Sequence, residues 1–445
     1  MATFENTGFD RKKSIIIKDL IQKNQDSQVL LIEGPRQVGK TTLALQALAA
    51  TGQAYLALNL ERDLRHLANL ERCQDFQEFT EWLRDEFDFT PNGSRILFID
   101  EAQESRQLGR FVRFMKEDWH GTTTILTGSM MTRLFHDDIR FPVGRVKTIH
   151  VQPFSFFEFL AAAKKNEWLA FLEKGEVGIS ASRHERLVTE FDRYLKVGGL
   201  PEVLKSHLVG GKYREVLQDI FEQYRRDFVR VYGQEQGPFF EKALQAVADH
   251  VGSPSKLTQA LPLADKNYKS LSAVFARLEA WHMIYASTQR GPQPEGTTAF
   301  HPKRYLFDLG LLNLLRQSGV PEINVLKTSE PAHRQALGGV FENYAAFVLT
   351  FLGVPLSGFK KSAAGMEIDF IAKIAERTVP IECKAALKTK ETHLAGLKTY
   401  LREYGLGLGV IVNAAPFEIR TYDFGKIVTI PIYALEALPE ILAGL

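Results

Sequence analysis

Leu30-Leu-Ile-Glu-Gly-Pro-Arg-Gln-Val-Gly-Lys-Thr-Thr42 is the stretch whose reading decides the rest of the chain. Gly34, four intervening residues and Gly39-Lys40-Thr41 make a full phosphate-loop pattern. The apolar run from Val29 to Ile32 predicts a buried parallel strand before it, and Thr42 to Ala50, rich in Ala and Leu, predicts a helix after it. The glycines let successive backbone N–H groups turn inward as an anion nest at the positive end of that helix. The expected nucleotide contacts are therefore Gly34, Pro35, Arg36, Gln37, Val38, Gly39, Lys40, Thr41 and Thr42. Lys40 would reach the β- and γ-phosphates, and the Thr41 hydroxyl would take one position on Mg²⁺. A second stretch, Arg95-Ile-Leu-Phe-Ile-Asp-Glu-Ala-Gln103, reads as a hydrophobic strand ending in an acidic pair. Asp100 would hold the Mg²⁺ and Glu101 would polarise the attacking water. Together the two stretches predict Mg²⁺-dependent ATP hydrolysis.

A chain of 445 residues allows about three domains, and 45% hydrophobic with 24% charged residues suffices for a full core. A net charge of +2 excludes a nucleic-acid surface spread over the whole chain, so any such surface is local. The two cysteines, Cys73 and Cys383, have no metal-type spacing and suit a reducing, cytoplasmic setting. Met1 to Lys13 lacks the apolar core of a signal peptide, and no later run approaches a membrane span. No internal repeat or low-complexity segment stands out.

Helices are expected over Arg11 to Lys23, Phe76 to Phe87 and Leu108 to Met115, with strands over Ala54 to Asn59, Thr122 to Thr127 and Val146 to Val151. Such alternation gives an α/β fold with a parallel sheet covered on both faces. Ligands collect at the carboxyl ends of such strands, where Gly34, Asp100 and Thr127 fall. Thr127 and Ser129 either sense the γ-phosphate and orient water, or cap the next helix. Arg140 and Arg145 each offer a guanidinium that a neighbouring subunit could use as a finger on transferring phosphate; a surface role is the alternative for both.

The segments GPRQVGKTT, FIDEAQ, TGS, VGRV and Val151-Gln-Pro-Phe-Ser-Phe-Phe-Glu-Phe159, with Tyr194-Leu-Lys-Val-Gly-Gly-Leu-Pro-Glu202, resemble one prokaryotic family over nearly the whole chain. It comprises AAA-type P-loop ATPases joined to a C-terminal domain of unknown function. The resemblance implies a nucleotide-driven homo-oligomer, a hexamer among its forms.

Beyond the ATPase region, residues 153–217 read as a helical lid or connector. From Gln218 to Tyr232, Arg225, Arg226 and Arg230 form a basic helix face, either solvated or touching DNA or a neighbour's nucleotide. Residues 218–300 resemble a winged helix, with a short helix over Ser255 to Ala260, a third helix over Lys266 to Trp281 and a wing built on Ile284 to Thr288 and Tyr305 to Phe307. Lys266, Lys269, Arg290, Lys303 and Arg304 would then meet DNA. Residues 301–445 are similar to the PD-(D/E)xK nuclease core. A helix over Gly339 to Leu352 carries Glu342. Met366 to Ile371 alternates so that Glu367 and Asp369 share one strand face, and Pro380 to Lys384 does the same for Glu382 and Lys384. The resemblance implies Mg²⁺ or Mn²⁺ on Asp369 and Glu382, with Lys384 steadying water or phosphate. The alternatives are a charged sheet edge, or a nuclease fold kept for binding.

The expected architecture is thus a P-loop parallel-sheet ATPase domain (1–152), a helical lid, a winged-helix domain and a restriction-endonuclease-like α/β domain. The expected function is an ATP-hydrolysing motor or remodeller of branched or recombining DNA. The rival is a nucleotide-gated signalling switch with an inert nuclease-like scaffold.

Overall fold

The computed structural model describes residues 9, 11–24, 28–93, 95–135, 144–176, 178–253, 268–292, 300–316, 319–327, 331–362 and 365–445, without the side chains of 132, 133 and 268–270. The chain divides into two compact units, 1–152 and 153–445.

The first unit is a five-stranded sheet of β1 (Val29–Glu33), β2 (Tyr55–Asn59), β3 (Ile96–Asp100), β4 (Thr124–Gly128) and β5 (Val146–His150). Their order is β2-β3-β4-β1-β5 and every pair is parallel. β3 and β4 are buried along their whole length, the pattern of strands covered on both faces. Helices occur at Lys12–Gln22, Phe76–Phe87 and Arg106–Glu117, as the apolar spacing predicts. Asp75 and Ser105 cap the last two by accepting the backbone N–H groups of Glu78 and Leu108. One side of the sheet is filled by Phe79, Phe89, Phe111 and Trp119. Because β1 lies between β4 and β5, the chain leaves it in the crevice where the strand order reverses. Gly34 follows there at φ +152°, and a Cβ on it would lie 2.0 Å from the Val151 carbonyl oxygen. Only glycine fits.

The second unit opens with the helix Phe156–Ala162, started by a capping box of Ser155 and Glu158. The Gly198-Gly199 turn separates the helices Ala181–Val197 and Pro201–Leu208. Gly198 has φ +77°, and a Cβ on Gly199 would meet the Phe154 carbonyl oxygen at 2.2 Å. The buried Asp308 carboxylate locks this turn, accepting the Gly199 N–H at 2.7 Å and the Leu311 N–H at 2.8 Å.

Two sheets complete the unit. β6 (Ile284–Arg290) and β7 (Phe300–Leu306) form an antiparallel hairpin. β6 also pairs in parallel with β8 (Ser357–Lys360), which pairs with β9 (Glu367–Ile368), in the order β7-β6-β8-β9. The expected boundary at 300/301 therefore falls at the start of a strand whose partner lies on the other side. The other sheet contains β10 (Phe370–Ile374), β11 (Arg377–Cys383), β12 (Leu408–Asn413), β13 (Glu418–Tyr422) and β14 (Gly425–Pro431), in the order β10-β11-β12-β14-β13. The helix Pro331–Phe351 carries Glu342, and Glu391–Tyr404 packs through Leu394, Leu397 and Leu401. The single strand expected over Met366 to Ile371 is in fact two. β9 pairs with β8 and β10 with β11, and Asp369 stands at the break where the chain changes sheets. Among the described residues no helix is long and apolar enough to cross a membrane.

Candidate functional site

In the first unit, the phosphate loop runs from Gly34 into the helix Lys40–Thr51, with Gln37 at φ +65° and Gly39 at φ +85°. Lys40 is buried, and its ammonium donates to the carbonyls of Gly34 at 3.1 Å and Pro35 at 2.8 Å. Burial pushes its pKa down to about 8, against the upward pull of Glu101 and Asp100.

Asp100, at the carboxyl end of β3, is the hub. Thr41 donates its hydroxyl to Asp100 at 2.9 Å, Asn59 donates its amide at 2.7 Å, and the Thr127 hydroxyl donates to the same carboxylate. Thr127 is fully buried inside β4 and serves Asp100. Neither Thr127 nor Ser129 caps the next helix, Met131–Leu134; its N-cap is Met130, with no side-chain bond. The Ser129 hydroxyl and the Gln103 side-chain oxygen are buried without hydrogen-bond partners, so polar valences are left over at the end of β4 and after β3.

Glu101 has left the strand, at φ +52°, and accepts from the Gln103 amide. Burial raises its pKa, against the downward pull of Lys40 and of the Gln103 amide. Glu33, closing β1, is raised to about 7 by burial. The residues present fit a magnesium nucleotide: a left-handed glycine loop at a helix start, a lysine on loop carbonyls, and a hydroxyl and a carboxylate already in contact. Asn59 and Gln103 were not assigned roles from sequence. A polar residue at the carboxyl end of a strand beside β3 is the signal that would have found Asn59.

Arg145 is half-buried and paired within its own chain, 2.6 Å from the Glu117 carboxylate. Arg140 lies outside the described residues.

In the second unit the carboxylates expected from sequence do converge. Glu342, Glu367, Asp369, Glu382 and Lys384 line one cavity of about 1150 Å³, together with Arg316 and Arg334. Lys303 requires a correction. It is 1% exposed rather than presented to DNA, and its ammonium lies 2.8 Å from Glu342, 2.7 Å from Glu367 and 2.9 Å from Asp369. Its position follows from the two-residue period of β7, which turns Lys303 and Tyr305 to the same buried side. Tyr305 donates to Glu342 at 2.6 Å, the Cys383 N–H donates to Asp369 at 2.9 Å, and Lys384 pairs with Glu382. Burial pushes Glu342 up to about 7 and, with Asp369 nearby, Glu382 up to about 8. Asp369 is held below the usual carboxylate range: burial works upward, but Lys303 and Lys384 outweigh it.

The divalent metal expected on Asp369 and Glu382 does not fit this arrangement, because the Lys303 ammonium already takes one oxygen each of Glu342, Glu367 and Asp369 and Lys384 takes one of Glu382, which leaves only the second Glu382 oxygen buried without a partner. Arg304 is tied to Glu279 at 3.2 Å and lies over the Phe275 ring at 4.7 Å. Arg290 is exposed at the end of β6. Lys266 and the helix expected over Ser255 to Ala260 lie outside the described residues, as does the Lys269 side chain.

A parallel sheet in this order, with the loop after β1 and the acidic pair after β3, defines an AAA-type P-loop ATPase domain. Residues 26–160 match the AAA domain family, residues 188–322 match domain of unknown function DUF8612, and residues 337–435 match domain of unknown function DUF4143. The chain thus carries an AAA-type P-loop domain followed by two regions that match domains of unknown function. It matches none of the curated proteins. Among solved structures it is similar to C. elegans PCH-2 at 13% identity, over 40% of this chain and 52% of that one, with a TM-score of 0.26. It thus spans about half the length of PCH-2. The Thermotoga maritima RuvB Holliday junction branch migration motor matches at 14% identity over 63% and 90% of the two chains, TM-score 0.30. The Aeropyrum pernix ORC1 protein in complex with DNA matches at 13% over 73% and 97%, TM-score 0.30.

Proposed function

We propose that this protein is a Mg²⁺-dependent, homo-oligomeric ATP hydrolase of the cytoplasm whose turnover moves or remodels DNA held by residues 153–445. The observation that carries the reading is the Asp100 carboxylate, gathered by Thr41, Asn59 and Thr127 beside Glu101. Lys40 would exchange its loop carbonyls for the β- and γ-phosphates. Thr41 and Asp100 would hold Mg²⁺, which when bound neutralises charge on the phosphates. Glu101, steadied by Gln103, takes the proton of the attacking water, and Thr127 and Asn59 keep Asp100 aimed. Arg145 would complete a neighbour's site.

For the C-terminal half we keep the assignment of a helical lid (153–217), a winged helix (218–300) and a nuclease-like domain (301–445), joined through the β6–β7 hairpin. The DNA reading draws support from the Arg316, Arg334 and Lys384 side chains around the large cavity and from exposed Arg290. A second reading, a nucleotide-gated protein switch on an inert nuclease-like scaffold, is favoured by Lys303 amid the carboxylates. ATP turnover measured with single-stranded, duplex and branched DNA separates them. Acceleration by at least one DNA form is expected; the same rate with all three and without DNA would leave the switch.

A further inference from the structure

We infer that Lys303 is a resident cation that stands in for a divalent metal among Glu342, Glu367 and Asp369, so that this centre keeps its fold and charge balance without a metal. An ammonium has three N–H donors, and here three carboxylates, from a helix, from β9 and from the break after it, lie within hydrogen-bond distance of it, at 2.8, 2.7 and 2.9 Å. Further donors crowd the same three carboxylates. Tyr305 donates to the same Glu342 oxygen as Lys303, Lys360 reaches the other Glu367 oxygen at 3.0 Å, and the Cys383 N–H takes the other Asp369 oxygen. Mg²⁺ or Mn²⁺ needs about six oxygen ligands at close range. To gather them it would have to expel a buried ammonium or settle against a like charge.

The sheet makes the lysine a fixture. β7 carries it, β6 pairs with β7 from Ile284 opposite Leu306 to Gln289 opposite Phe300, with Ser287 opposite Lys303 itself, and β6 is paired in turn with β8 and through it with β9, which holds Glu367. A surface lysine could swing away when a metal arrives. Lys303 is 1% exposed on a strand paired along its length, so its ammonium could withdraw only by breaking three buried ion pairs.

The inference bears on the C-terminal centre alone, and its test uses neither ATP turnover nor DNA, so its outcome is separate from that of the DNA reading. The nucleotide-free full chain is titrated with Mn²⁺ and followed by thermal melting and by the free Mn²⁺ resonance signal. The wild-type protein is expected to show no stabilisation and no bound Mn²⁺ that Asp369→Asn removes. Lys303→Gln, which keeps donors but no charge, and Lys303→Ala are expected to melt lower without metal. Both should regain several degrees with Mn²⁺, and Asp369→Asn should cancel that gain. A variant that folds only when Mn²⁺ is present supports the same conclusion. Mn²⁺ stabilisation of the wild type that disappears in Asp369→Asn would overturn it, and so would folded Lys303 variants indifferent to Mn²⁺. If neither variant folds under any condition, the wild-type comparison with Asp369→Asn still decides.

Discussion

The buried guanidinium of Arg11 donates to the carbonyl oxygen of Val38 at 3.0 Å, so a residue ahead of the first helix holds the phosphate loop from behind. The same guanidinium reaches the Gln152 carbonyl at 2.9 Å, at the far end of the unit's sequence. Arg11 lies before residues 26–160, the extent of the AAA match. Charge-assisted bonds of this kind are worth about 1.5–3 kcal/mol each. Arg11→Ala should therefore lower the melting temperature and weaken ATP affinity by about tenfold, or about 1.4 kcal/mol. Titration with a fluorescent ATP analogue checks this, and wild-type affinity would remove the loop-holding role.

Lys40 and Glu101 should separate binding from chemistry. Lys40→Ala takes a buried cation from the phosphates, so nucleotide affinity and turnover should fall together. Glu101→Gln keeps the side-chain shape but cannot take a proton, so ATP should bind while hydrolysis drops by about 10²-fold or more. Binding and single-turnover measurements on the two variants suffice. Ordinary turnover in Glu101→Gln would defeat the role given to that carboxylate.

Arg145 is paired with Glu117 of its own chain, and an arginine finger would have to leave that partner. Arg145→Ala should spare nucleotide binding and assembly while turnover falls by about 10³-fold. Mixing it with Lys40→Ala protein should restore part of the activity, since some interfaces would then pair an intact loop with an intact arginine. An active Arg145→Ala protein, or hydrolysis by a monomer, would contradict the reading.

Stability should fall as the pH rises from about 5 to about 8. Burial lifts Glu436 from 4.5 to about 7, although the Phe157 N–H and the Tyr344 hydroxyl both donate to it. Between those two values the folded chain retains a proton that the unfolded chain has released, so each step upward in pH favours unfolding. Above about pH 7 the fold must carry the charge or lose the group, at a cost of at most roughly 3 kcal/mol. Glu436→Gln removes the titration and should flatten the slope of melting temperature against pH. An identical slope in the variant would assign the dependence to other groups.

The phosphate-loop site was legible in the sequence because its chemistry is nearly contiguous. Gly34 to Thr42 and Asp100-Glu101 each bring their strand and their reactive residues together. The aim of Thr127 at Asp100 was not, since it depends on β4 lying between β3 and β1. The C-terminal carboxylates were found for a related reason, as Glu382-x-Lys384 is a local pattern. Lys303 was misplaced because its role comes from strands far apart in sequence, and a basic residue beside Arg304 reads as surface. The alternation of Lys303 with Tyr305 was the available clue. The break at Asp369 left no clue, because Glu-Ile-Asp-Phe alternates as smoothly as an unbroken strand would.

The β7-β6-β8-β9 sheet also bears on how this chain can have been inherited. Residues 188–322 supply β6 and β7, and residues 337–435 supply β8 and β9, so two regions matched as separate families share one ladder of hydrogen bonds. A recombination point between them would part Lys303 from Glu342 and Asp369 and leave charged groups buried without counter-ions. Shuffling of these regions among genes is therefore disfavoured unless both travel together. The segment ahead of residue 153 lies outside that ladder, and exchanging it for another nucleotide-driven partner would leave these strand pairings whole.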